Sequence, residues 1–213
     1  VSTLDLSSGQ LLTTTRTVRK RLDLERPVSR ELIRELIDIA VQAPSGSNGQ
    51  TWHWLVITDP DKRAAIGEYY RQSLQKYFAD RDAAETVADD PRRTAVQQRV
   101  RNSSAYLGEH MGDVPVLVIP CIEAATLPQG NQAGLWGSIL PAAWSYMLAA
   151  RSRGLGTAWT TLHLKYEHEI SELLNLPDNL RQAVLIPTAY SIGTDVKPAP
   201  RKPLDEILHF DNW

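Results

Sequence analysis

Between Thr13 and Arg21 the chain reads Thr-Thr-Thr-Arg-Thr-Val-Arg-Lys-Arg, which sets Arg16, Arg19, Lys20 and Arg21 among hydroxyls. Guanidinium forks bind phosphate oxygens in pairs, and Thr17 adds a neutral donor without further charge, so the run suits a phosphate. The plainer alternative is a solvated basic patch, or cations answering the dipole at a helix C-terminus. A second chemical stretch, Ala43-Pro44-Ser45-Gly46-Ser47-Asn48-Gly49-Gln50-Thr51-Trp52-His53-Trp54, carries neutral donors and acceptors instead. Pro44 ends the preceding helix because it has no N–H to donate, and Gly46 and Gly49 let backbone amides approach a ligand. Ser45, Ser47, Asn48 and Gln50 supply short polar groups. Pro, Gly, Ser and Asn are also the default residues of an ordinary helix-to-strand turn, and composition alone does not separate the two readings.

Groups that would do chemistry by themselves are missing. No Ser-His-Asp, Cys-His or metal-ligand constellation is visible, and the five histidines show no His-x-x-x-His spacing. His53, between two tryptophans, reads as a strand residue rather than a catalyst. Gly154-Leu155-Gly156 invites a dinucleotide-fold reading, but that fingerprint needs a strand before it and a helix after it, whereas here a helix precedes and an extended Thr-Ala-Trp-Thr-Thr-Leu segment follows. No Gly-x-x-x-x-Gly-Lys-Ser/Thr run supports nucleotide hydrolysis.

The elements that must position the two stretches follow from periodicity. Ser29 is placed to cap a helix whose apolar face is Leu32, Ile33, Leu36, Ile37 and Ala40, and whose end delivers the Pro44–Asn48 loop. Trp52 to Thr58 follows as a strand. A long helical region from Asp59-Pro60 to about Met111, broken near Asp89-Asp90-Pro91, carries Ile66, Tyr69, Tyr70, Leu74, Tyr77 and Phe78 at helical spacing. Such a stripe reads as core, and the polar length of residues 66–112 suits a helical lid over a pocket. Val114 to Ile122 is a continuous apolar run, a buried central strand with Pro115 and Pro120 confined to its ends. Leu127 to Gly137 reads as a loop, after which Ser138 caps a helix with Pro141 in its first turn, an inward side of Leu140, Trp144, Met147, Leu148 and Arg151, and Gly154 as its stop. A short helix from Tyr166 to Leu174 and a strand around Val184-Leu185-Ile186-Pro187 complete the pattern. The tail from Thr194 is extended by Pro198, Pro200 and Pro203 yet ends in Ile207, Leu208, Phe210 and Trp213. It must cover its own subunit or reach around another.

Bulk composition bounds the rest. With 213 residues and 42% hydrophobic content the chain can bury a core as one domain, spanning 1–213. A formal net charge of −2 gives no global field for nucleic acid or an anionic membrane, so any anion site is local. The longest apolar run is too short for a bilayer. No basic segment followed by an apolar one opens the chain, and Cys121 is its single cysteine, so a reducing cytoplasmic setting is expected.

Three separated segments, taken with the tail, resemble one family. They are Arg16-Thr17-Val18-Arg19, the helix running into Ala43 to Trp52, and the helix ending in Leu148-Ala149-Ala150 before Gly154 to Trp159, with Arg201-Lys202-Pro203-Leu204 in the tail. Together they are similar to the FMN-dependent nitroreductase family. The resemblance implies an α+β fold, a central mostly antiparallel sheet flanked by helices, with the C-terminal tail (194–213) extending onto a partner subunit. It implies a homodimer with FMN at the interface, NAD(P)H as reductant, and a small-molecule electron acceptor such as a nitroaromatic or quinone reduced in a ping-pong cycle. Carried over position by position, Arg16, Thr17 and Arg19 would contact phosphate and ribityl chain, joined by Arg201. Pro44, Ser45, Gly46 and Asn48 would come from the neighbouring subunit, and Thr160, Thr161 and Leu162 would lie beside the flavin ring. The chain departs from the family in having Arg21 where an aromatic residue is common. The flavin carries the redox chemistry, so no protein nucleophile and no metal are called for. Other reactions under the same resemblance are flavin destruction, dehalogenation and dehydrogenation, and a non-catalytic FMN store or redox-sensing module is a reading from a different class.

Overall fold

The computed structural model describes residues 3–84 and 91–213. Its centre is the apolar run: β2 (Val116–Glu123) is buried on both faces, and its alternating side chains feed two separate cores. Leu117, Ile119 and Cys121 pack with Ile57, Ile66, Leu74, Met111 and Ile170 on one side. Val116 and Val118 pack with Leu32, Leu36, Ala143, Tyr146 and Met147 on the other. A strand covered on both faces has no polar side to show, which is why its sequence lacks alternation.

Around it, β1 (Trp52–Ile57), β3 (Leu155–Thr157), β4 (Leu180–Gln182) and β5 (Ile186–Tyr190) form a sheet in the order β1-β2-β5-β3, with β4 also paired to β2. Every strand pairing in it is antiparallel. This is the α+β architecture expected. One expectation is corrected: Pro120 lies inside β2, opposite Trp54, and not at its end. Glu123 N–H bonds β1 at Thr51, so by antiparallel alternation the absent N–H of Pro120 faces the other way. On that side Pro120 O accepts from Ala183 N–H at 2.9 Å just past the end of β4, and Leu185 then turns aside to exchange bonds with Thr160, so the proline costs only the return bond of that one pair.

The helices are α1 (Ser8–Thr14), α2 (Arg30–Ala40), α3 (Pro60–Ala84), α4 (Pro91–His110), α5 (Ala133–Ser152) and α6 (Glu167–Leu174). Ser29 caps α2 by accepting from Leu32 N–H at 3.2 Å. The chain between α3 and α4, including Asp89 and Asp90 of the expected break, lies outside the described residues. A second correction concerns α5, which begins at Ala133 rather than at Ser138 and holds Pro141 in its interior. Leu135, Trp136, Ile139 and Leu140 recur at helical spacing against Ile122 and Trp52, and that burial outweighs the poor helix propensity of Gly134 and Gly137. The inward side of α5 is Ile139, Ala142, Ala143, Tyr146, Met147 and Ala150, whereas Trp144 is 38% exposed.

α3 lies directly against the turn Met111–Asp113. A Cβ on Gly67 would stand 2.7 Å from the backbone nitrogen of Gly112, so the pair of glycines sets how closely α3 approaches. From residue 193 onward the chain is largely exposed, with Leu204 at 62%, Phe210 at 78% and Trp213 at 100%. Within one chain the tail therefore leaves its apolar side chains uncovered.

Candidate functional site

A cavity of about 640 Å³ opens between α3, α4 and the segment that follows β3. Its wall includes Arg19, Tyr70, Leu74, Phe78, Thr160 and Leu162. The size is that of a small-molecule or cofactor pocket, roughly 300–1,000 Å³.

Two sequence-distant segments meet here because residues 16–19 run beside β3. Val18 N–H donates to Thr157 O at 2.8 Å, and Thr17 bridges Thr157 in parallel. The second glycine of Gly154-Leu155-Gly156 makes the approach possible, since a Cβ on Gly156 would sit 2.9 Å from Val18 Cβ and 3.1 Å from Leu22 Cδ2. The glycines that resembled a dinucleotide fingerprint thus have separate structural roles: Gly154 adopts φ +75° to end α5, and Gly156 lets Val18 in. Gly156→Ala is expected to destabilise the chain by about 1–3 kcal/mol, since Val18 is held by its backbone and cannot swing away. A urea midpoint equal to that of the parent protein would contradict this contact.

Arg19 is half-buried, and its Nη1 donates to Ser103 Oγ on α4 at 3.2 Å. Burial draws its pKa below the usual guanidinium value, with Tyr70 acting in the opposite sense. Tyr70, on α3, is 3% exposed, and Thr160 Oγ1 donates to its hydroxyl at 3.3 Å. Burial pushes the phenol up, against smaller downward effects of Thr160 and Arg19, so the hydroxyl keeps its proton. Leu162 N–H in turn donates to Thr160 Oγ1 at 3.4 Å. At the outer rim, Arg101 makes two bonds to Asp82, at 2.6 and 2.7 Å, and lies over the Phe78 ring.

The other expected residues lie apart from this cavity. Arg16 is exposed and donates to Lys197 O at 3.0 Å, which joins the basic run to the start of the tail. Thr17 is exposed beside β3. Arg201 is exposed, and its Nη1 reaches the carbonyl of Pro200 at 3.2 Å. Pro44, Ser45, Gly46 and Asn48 form a turn pinned to α5, where Gly46 N–H donates to Ser138 Oγ at 2.9 Å and Trp52 Nε1 to Ser138 O at 2.7 Å. The left-handed positions of this turn are Ser47 (φ 52°), Asn48 (φ 54°) and Gln50 (φ 51°), not its two glycines. Non-glycine residues in that region are uncommon, and a cluster of them stores strain of about 1–3 kcal/mol per residue, a pattern concentrated at ligand-binding loops.

Tyr70 and Ser103 were not distinguishable in sequence from core and helix surface. A tyrosine on an apolar helix face does carry one usable signal, because its buried hydroxyl needs a partner. His163, two residues beyond Thr161, is fully buried, with neither ring nitrogen hydrogen-bonded among the described residues. Cys121 is no nucleophile, as burial pushes its thiol up to about 12.

The chain is thus an α+β protein with a cavity of that size against an antiparallel sheet flanked by helices. Residues 12–190 match the sequence model of the nitroreductase family, and the chain belongs to that family. It is 27% identical over 198 residues to the iodotyrosine deiodinase of Nematostella vectensis, covering 91% of this chain and 70% of the relative. It is 26% identical over 194 residues to the iodotyrosine deiodinase of Thermotoga neapolitana, covering 91% of each. The chain spans less than two thirds of some relatives, 62% of iodotyrosine deiodinase 1 of Rattus norvegicus. Among solved structures, the fold is similar to a variant of the FMN and NADPH-dependent nitroreductase NfnB from sphigopyxis sp. strain HMH. That match has a TM-score of 0.70 at 20% identity, covering 98% of this chain and 100% of the other. No helix among the described residues is long and apolar enough to cross a membrane.

Proposed function

We propose that this chain is an FMN-dependent NAD(P)H oxidoreductase that reduces nitroaromatics, quinones or similar acceptors in a ping-pong cycle, acting as a cytoplasmic homodimer. The observation that carries the reading is a half-buried guanidinium, Arg19, beside the Thr160–Leu162 segment in one cavity of cofactor size. A cation withdrawn from water requires an anionic or electron-rich partner, and FMN offers both a phosphate and such a ring. When bound, FMN would supply the hydride and electron transfer.

The chain's own residues would then hold and shield it. Thr160, Thr161 and Leu162 would lie beside the ring, and Arg19, expected at the phosphate and ribityl chain, shares a cavity with that segment and would instead lie toward the ring. Leu74 and Phe78 exclude water. Arg16, Thr17 and Arg201 serve the phosphate and ribityl chain. Pro44, Ser45, Gly46 and Asn48 act in the site of a second copy, which is supported by their strained turn and their separation from the cavity of their own chain. The uncovered apolar side chains of the tail support a second copy as well. Residues of α3 and α4 such as Tyr70, Phe78 and Leu107 line the cavity, and the 66–112 region, part of which lies outside the described residues, would act as its lid.

The test is an anaerobic visible spectrum of the FMN-loaded protein before and after NADPH or NADH. Loss of the oxidised-flavin absorbance, restored by a nitroaromatic or quinone, is expected. An unchanged spectrum with both reductants would leave a flavin store or redox-sensing module as the better reading. The deiodinase relatives favour a second reaction, reductive dehalogenation, which iodide release from an iodophenol under the same conditions would reveal.

A further inference from the structure

We propose that the Tyr70 hydroxyl is a hydrogen-bond donor to the occupant of the cavity, forming with the Arg19 guanidinium a paired binding point for the electron-rich edge of a reduced flavin. The inference rests on the flavin reading above. It begins with the direction of the hydrogen bonds. Leu162 N–H donates to Thr160 Oγ1 at 3.4 Å, and Thr160 Oγ1 donates to Tyr70 Oη at 3.3 Å, so donation runs from the backbone toward the phenol. Tyr70 Oη accepts, and its own proton has no acceptor among the described residues. A buried hydroxyl donor with no acceptor is costly, and the side chain is 3% exposed.

The neighbouring group is also a donor. Arg19 acts on the phenol electrostatically and has spent one N–H on Ser103, leaving the rest of its fork without an acceptor among the described residues. Two donors therefore stand together in a wall that includes the apolar Leu74, Leu107 and Ala158 as well as polar residues such as Ser104 and Thr161. Withdrawal of the pair from bulk water strengthens whatever it binds. The carboxylate nearest to hand in the lining, Asp82, is engaged by Arg101. What completes the arrangement is an acceptor atom brought by the ligand, held more tightly as it gains negative charge. A flavin ring gains that charge on reduction.

Tyr70→Phe removes the hydroxyl and keeps the ring packing. Wild-type and variant are loaded with FMN, their melting temperatures compared, and their two-electron midpoint potentials measured by dye-coupled titration. The expected result is unchanged melting, similar affinity for oxidised FMN and about tenfold weaker holding of the reduced form, which lowers the potential by about 30 mV. Equal potentials in the two proteins would overturn the inference. If Tyr70→Phe fails to fold, Thr160→Val decides the matter, because it removes the donor that polarises the phenol; it is expected to lower the potential in the same direction, and an unchanged value rejects the proposal. A wild-type protein that takes up no FMN sinks the flavin reading itself, whereas a flavin-loaded wild-type with an unaltered variant sinks the role of Tyr70 alone.

Discussion

Arg19→Gln is expected to weaken FMN binding by about 100-fold, the loss of one well-placed charge-assisted contact worth roughly 1.5–3 kcal/mol. Arg19 is half-buried in the cavity wall and tied to α4 through Ser103, so its charge is screened little by solvent and its geometry is set before any ligand arrives. Glutamine keeps a donor and most of the stem but removes the cation. Arg16 and Arg201 are exposed, and the same substitution at either should cost only several-fold and should fade with added salt. Titrating the apoprotein with FMN and with riboflavin, followed by flavin fluorescence, measures all three. With Arg19 at the ring, Arg19→Gln weakens both ligands alike; a loss confined to FMN would instead place Arg19 at the phosphate. Affinities unchanged by Arg19→Gln would remove the physical basis of the cofactor reading.

The second large effect is acid destabilisation through His163. Its ring is fully buried without a hydrogen-bond partner among the described residues, and desolvation lowers its pKa from 6.5 to about 3. The folded state therefore refuses a proton that the unfolded chain accepts as the pH falls through 6.5. The neutral-ring stability is complete above that value and is lost progressively between pH 6.5 and about 3, by up to about 1.4 kcal/mol for each pH unit. His163→Leu removes both the titration and an unpaired buried donor. It should be more stable than the parent at pH 7 and markedly more so at pH 5. Urea unfolding at the two pH values measures the difference, and parallel losses in parent and variant would show that His163 is not the titrating group. Because His163 follows Thr160, Thr161 and Leu162 directly, the same window should loosen that segment of the cavity wall.

The histidine illustrates what the sequence left undetermined. In Leu162-His163-Leu164 nothing distinguishes a surface imidazole from one sealed behind the cavity, since the segment is a short 3-10 turn whose facing depends on what packs over it. α5 is a similar case. Gly134, Gly137 and Pro141 argued locally for a loop and a later start, and only the burial of Leu135, Trp136 and Ile139 against the sheet extends the helix back to Ala133. Pro120 was placed at a strand end by the same local logic, which could not know that the neighbouring strand breaks off opposite it.

What the sequence determined by itself were the properties carried by near neighbours and by order along the chain: the cap at Ser29, the apolar face of α2, the two-sided burial of β2, the stop at Gly154, and the succession of segments that marks the nitroreductase family. Tertiary structure alone decided that Arg19 and Thr160 share a cavity, that Tyr70 closes the donor chain between them, and that Arg16 is joined to the tail at Lys197. Periodicity and capping are read over a few residues. Which side chains meet across more than a hundred depends on the close approach that Gly156 grants Val18, a distance no local pattern records.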